Sequence, residues 1–157
     1  MGLDTWHVTG SGFDCSAVNE KVFGKFLLDH AAVFRSKFDS SDYILAVARA
    51  LFEGKQTAAF HRERVFADLA ALREMTDHYS LAEFVACVMT AETGIRFYVP
   101  GPTDEGADYV LFCNAAPWEY NEAERSLTEE NLTKIFITYA DMLKVNYHSW
   151  IDLVYSV

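Results

Sequence analysis

Ile95–Cys113 reads IRFYVPGPTDEGADYVLFC, and the period of its apolar residues decides the fold class. Ile95, Phe97 and Val99 alternate with Arg96 and Tyr98, the two-residue repeat of a strand with one face turned inward. Pro100-Gly101-Pro102 ends that run, because proline has no N–H to give to a ladder. Asp104-Glu105-Gly106 supplies a polar turn, and Tyr109–Cys113 is apolar enough for a strand buried on both faces. The stretch therefore predicts an antiparallel hairpin whose loop is longer than a tight turn.

Upstream of this hairpin the period is helical. Val22, Phe23, Phe26, Leu27 and Phe34 recur at helical spacing after Ser16, a candidate N-cap, and predict one helix to about Phe38. Ser41-Asp42 opens a second through Leu51, with Gly54 at the C-cap position, and Phe60 to about Met75 makes a third. Ser80 and Glu83 match a capping box for a fourth helix that stops at Gly94. Downstream, Ser126 and Glu129 match another box, and Leu132, Ile135, Phe136, Tyr139, Met142 and Leu143 form a long amphipathic stripe to about Lys144. Thr5–Thr9 is rich in strand formers and runs into Gly10-Ser11-Gly12, read as a turn, while Trp150–Tyr155 is read as a closing strand. Runs of helices followed by a hairpin, rather than strictly alternating elements, indicate α+β: about five helices on a small antiparallel sheet of about four strands. At 157 residues, one domain spanning 1–157 is the expectation.

Charge is the most directional feature. Residues 76–157 hold thirteen acids and four bases, against ten and nine in residues 1–75, within a total of −10. Eight of those acids lie between Asp104 and Glu130, with Arg125 the only base among them. A face built from Asp104, Glu105, Asp108, Glu119, Glu122, Glu124, Glu129 and Glu130 would repel nucleic acid and anionic membrane and attract a basic protein surface. Pro117-Trp118-Glu119-Tyr120 adds Trp118 and Tyr120, the residue types that anchor protein interfaces. Trp118 also has a plainer reading, as a plug at the end of the core.

Other chemistry is weaker in the sequence. Gly10-Ser11-Gly12 before a helix suggests a phosphate-binding turn, but the third glycine of a dinucleotide fingerprint is replaced by Cys15, and Asp14 opposes an anion. Cys15 with His7 is a conceivable nucleophile pair that matches no known signature. The five histidines show no paired ligand spacing, and Asp104, Glu105 and Asp108 lack the calcium-loop pattern, so no metal or cofactor is expected. Three cysteines without a Cys-x-x-Cys pair fit reduced thiols. No stretch reaches eighteen apolar residues and no basic leader precedes an apolar run, so a cytoplasmic protein is expected.

The leading expectation is a non-catalytic acidic interaction protein that docks on a basic surface, in its narrowest form a nucleic-acid-mimicking inhibitor of a DNA- or RNA-handling enzyme, comparable in size and charge to phage-type antagonists of bacterial defence. No direct nucleic-acid or membrane binding is expected. The alternatives are a small enzyme or ligand-binding domain with a pocket near Gly10–Cys15, drawing on Trp6, His7, Cys15, Tyr98 and Arg96, and a homo-oligomeric structural protein.

Overall fold

In the computed structural model, residues 5–39, 41–54, 81–100, 107–112 and 117–156 are described. The chain is α+β, with six helices and a three-stranded antiparallel sheet among those residues. It divides into two compact units, Val18–Ser80 on the one hand and Met1–Ala17 with Leu81–Val157 on the other.

The Val18–Ser80 unit contains α1 (Glu20–Asp29), α2 (Ala31–Lys37) and α3 (Ser41–Glu53). The single helix expected from Ser16 to Phe38 is corrected in two places. Its start moves to Asn19, whose side chain accepts from the Lys21 N–H at 2.9 Å. Ser16 instead gives its N–H and hydroxyl to Asp14, both at 2.9 Å. The helix also breaks at His30, which leaves helical geometry at φ −108°, ψ 25°. The His30 Nδ1–H donates to the Phe26 carbonyl at 2.7 Å, and the same carbonyl accepts the His30 backbone N–H at 3.2 Å. The imidazole thus shares the acceptor that its own backbone N–H reaches, at the residue where α1 ends. Gly24 faces α3, where an added Cβ would lie 2.6 Å from the Ala48 carbonyl oxygen and 2.7 Å from the Phe52 nitrogen. The expected stop of α3 holds, with Gly54 at φ 58°. The helix expected over Phe60–Met75 lies outside the described residues.

The other unit is built on β1 (Thr5–Asp14), the central strand, with β2 (Tyr109–Phe112) on one side and β3 (His148–Ser156) on the other. The expected turn at Gly10-Ser11-Gly12 is a correction: the strand runs straight through it, pairing Ser11 with Phe112 and Gly12 with Leu111. The glycine is there for close approach. A Cβ on Gly12 would sit 1.9 Å from the Val110 carbonyl oxygen, so only glycine lets β1 and β2 come together at this point.

The expected strand Ile95–Val99 is also corrected. Among the described residues only Tyr98 of this stretch pairs with the sheet, exchanging backbone hydrogen bonds with Leu111 at 2.7 and 2.8 Å. Arg96 is why the rest does not continue the ladder: its backbone N–H and its guanidinium are both taken by Glu124. Among the described residues the strand count is therefore three rather than four.

α4 (Leu81–Thr93) ends at Gly94, φ 75°, as the sequence predicts. α5 (Glu122–Arg125) is a single turn, and α6 (Glu129–Leu143) is the long helix expected from the apolar stripe. Its N-cap is Thr128, accepting from the Asn131 N–H at 3.1 Å, in place of the expected Ser126. Phe136 of α6 is the centre of the core. Its ring meets Phe13 of β1 edge-on at 5.8 Å, Phe97 edge-on at 5.3 Å and Tyr147 in a stack at 5.4 Å. Edge-to-face and offset pairs of this kind add to the hydrophobic gain from burial itself. α6 ends with Lys144 in the left-handed region, φ 56°, and the chain turns back into β3.

Candidate partner-binding site

The segment from Pro117 to Arg125 carries a 3-10 turn (Pro117–Glu119) followed by α5, and neither is long enough to be stable alone. Glu124 holds it in place. Its carboxylate accepts the Arg96 Nη2–H at 2.7 Å, the Arg96 Nε–H at 3.1 and 3.2 Å, the Arg96 backbone N–H at 3.1 Å and the Asn121 backbone N–H at 3.1 Å. Asn121 completes a capping box by accepting the Glu124 N–H at 2.8 Å, and its amide donates to the Gly94 carbonyl at 2.9 Å. The Arg96 hydrogen bond, with help from the two backbone N–H groups, outweighs the burial of Glu124 and holds its carboxyl down at about 2. The same Arg96 Nη2 donates to the Glu119 carbonyl at 2.6 Å, so one guanidinium fixes both α5 and the turn that precedes it.

That turn presents Trp118, which is 82 % exposed. The plainer expectation, that Trp118 plugs the core, is corrected: the clasp occupies the groups around it and leaves the indole outside. Glu119 beside it and Glu122, Glu129 and Glu130 along the same segment are exposed as well. Glu130 pairs with Lys134 one turn along α6 at 3.3 Å.

Next to this segment is a half-open groove of about 450 Å³. One wall is the start of α6, with Glu129 and Thr133; the other is the sheet, with Ser11, Ser149 and Trp150; Tyr120 lines it too. The sheet wall exists because the ladder slips. Gly10 pairs with Ile151 and Gly12 with His148, so Ser149 and Trp150 together face the single residue Ser11. Such a bulge bends the strand and re-aims its side chains, and Trp150 is 65 % exposed.

The nominated residues thus fall into three groups. Trp118, Glu119, Tyr120, Glu122, Glu129 and Glu130 lie on the exposed 118–130 segment. Glu124 and Asp108 are buried at 4 % and 9 %, and both serve the fold. Glu124 is the clasp, while the Asp108 carboxylate accepts the Ala82 N–H at 3.3 Å at the start of α4, and its backbone joins Asp14 and Cys15 at 2.8 and 2.7 Å. Asp104 and Glu105 lie outside the described residues. Sequence reasoning missed Ser149 and Trp150 as a groove wall, whereas Gly10 and Ser11, which also line it, belong to the Gly10–Cys15 stretch beside which the alternative pocket was expected. A signal existed for Trp150: it shares strand parity with Asp152, which alternation places on the solvent face.

The residues of the alternative Gly10–Cys15 pocket are not brought together. Cys15 is fully buried, and burial together with nearby Asp108 and Asp14 pushes its thiol far above the usual range, the opposite of an activated nucleophile. His7 is eight residues away along an extended chain, about 25 Å at strand rise, and its Nδ1 is 2.8 Å from Asp152 on the solvent side. Arg96 is engaged by Glu124, and Tyr98 bridges to Leu111. Trp6 pairs through its backbone with Tyr155. Among the described residues, no group of three or more His, Cys, Asp or Glu could hold a metal ion, and no helix is long and apolar enough to cross a membrane. No protein family, curated protein or solved structure matches the chain.

Proposed function

We propose that the protein is a non-catalytic interaction module whose 118–130 segment docks on a basic surface of another protein. The observation that carries this reading is Trp118: a tryptophan 82 % exposed, on a turn that Arg96 ties to the buried Glu124 and flanked by Glu119 and Glu122. An interface anchor is an aromatic side chain on a rigid support, and flanking charge steers its encounter and sets its register. Tying down a short segment also lowers the ordering cost of binding.

The finer form of the proposal is that the acidic face imitates a polyanion and blocks the nucleic-acid groove of its partner. Exposed Glu119, Glu122, Glu129 and Glu130 support it, whereas Asp108 and Glu124 add nothing to such a row because they are spent inside the fold.

The test is retention of the partner from a host-cell lysate on immobilised protein at low salt, with elution by rising salt and competition by duplex DNA. Charge reversal at Glu119, Glu122 and Glu129 is expected to abolish retention, and Trp118→Ala to weaken the isolated complex by about 2 kcal/mol, roughly thirtyfold. Glu124 is left untouched in these variants because reversing it would undo the clasp. Retention that survives both changes sinks the docking proposal; retention indifferent to DNA sinks only the mimicry.

A further inference from the structure

We propose that the groove beside Tyr120 and Glu129, between the β3 bulge and the start of α6, receives an arginine side chain from the basic segment of the partner. This rests on the docking reading above and names what the site takes.

The argument begins with charge. The groove lies at the start of α6, where a helix dipole favours an anion by a partial charge. Thr128 already accepts the Asn131 N–H there. Two carboxylates line the same space, Glu124 and Glu129. Glu124 is neutralised by Arg96 from behind. Glu129 is exposed, and its full charge outweighs the helix-end partial charge within the same turn. The groove is therefore selective for a cation.

The lining then selects the kind of cation. An ammonium is compact and strongly hydrated, and needs few acceptors; a guanidinium is planar, carries five N–H donors and stacks on aromatic faces. Here Trp150 and Tyr120 contribute aromatic residues to the lining, while Ser11, Ser149 and Thr133 contribute hydroxyl-bearing residues from both walls alongside Glu129. Aromatic area plus acceptors around one carboxylate matches a guanidinium. A volume of about 450 Å³ is within the range of small-ligand pockets, roughly 300–1,000 Å³, so an extended side chain fits with its neighbouring backbone at the open mouth.

The experiment is an amide and indole N–H NMR titration of the full chain with acetyl-arginine amide, and in parallel with the lysine and citrulline counterparts. The expected result is a saturable shift of the Trp150 indole N–H and the Ser149 amide with the arginine probe. The lysine and citrulline probes should bind about tenfold more weakly or worse. Glu129→Gln and Trp150→Ala should each remove the arginine preference, with unchanged far-ultraviolet circular dichroism showing that the fold persists. No saturable shift at Trp150, or equal binding of the arginine and lysine probes, overturns the groove inference. If that happens while partner retention still depends on Trp118 and Glu122, the docking reading stands without the groove. If the arginine probe seats in the groove but the charge-reversed protein retains its partner undiminished, the partner origin of the side chain is overturned.

Discussion

Glu124 shows how little the identity of a residue says about its use. It has the same chemistry as Glu122 two positions earlier, yet one is buried against Arg96 and the other stands in solvent. The ion pair has a pH signature whose sign is fixed by its direction. The Glu124 carboxyl lies at about 2 in the fold, below an ordinary value of 4.5. Its contribution to stability is therefore fully present above about pH 4.5, and it is lost as pH falls through about 2. Arg96→Ala leaves the buried Glu124 carboxylate without its main donor and is expected to lower stability at neutral pH. Denaturant midpoints for the wild type and Arg96→Ala, followed from pH 6 to pH 2.5, should converge on the acid side. Two curves that stay parallel through that window would show that the pair does not couple to folding. Cys15 makes the complementary point: its burial is invisible in a sequence where it sits at the end of a polar turn-like stretch, and it depends on Asp108, far along the chain, which accepts the Cys15 N–H on its carbonyl and donates its own N–H to Asp14.

At the level of elements, glycines separate what the sequence reveals from what it hides. Gly54 and Gly94 were legible as helix stops because a positive φ after a helix is a local demand. Gly12 and Gly24 were not, since the demand on each comes from a distant segment: the Val110 carbonyl for one, and the backbone of α3 for the other. Gly24 yields a prediction against local propensity. Alanine is favoured over glycine inside an isolated helix by about 1 kcal/mol. Here the added Cβ would meet backbone atoms at 2.6 and 2.7 Å, and neither atom can swing away as a side-chain tip could. Gly24→Ala is expected to destabilise the α1–α3 pair by about 1–3 kcal/mol; a raised melting temperature would show that the two helices slide apart without cost. The same reasoning explains the lost fourth strand. Alternation in Ile95–Val99 was genuine, and Ile95 is buried, but pairing depended on Arg96, whose partner lies twenty-eight residues later. α6 was legible because its stripe is long, although its cap is Thr128 rather than Ser126 and Met142 on that stripe proves exposed.

For the whole molecule, the acidic half was legible as charge but not as a surface, because a count of carboxylates does not separate those that make the fold from those that face outward. Asp108 and Glu124 belong to the first kind and Glu119, Glu122 and Glu129 to the second, and the difference is made by donors at Ala82, Arg96 and Asn121. The arrangement implies that support and contact are coupled. Arg96 reaches Glu119 and Glu124 through one planar fork, so Arg96→Lys keeps a positive charge but loses the simultaneous hold on both. The substitution is expected to loosen the Pro117–Glu119 turn and to weaken binding of the captured partner by about tenfold. Because no exposed charge is removed, the salt dependence of binding should keep its slope, whereas neutralising Glu119 and Glu122 should flatten it. Combining Arg96→Lys with Trp118→Ala should cost less than the two changes separately, by about 1 kcal/mol in a double-mutant cycle, since both act through the same indole. Strict additivity in that cycle would mean that the clasp stabilises the fold without positioning Trp118 for its partner.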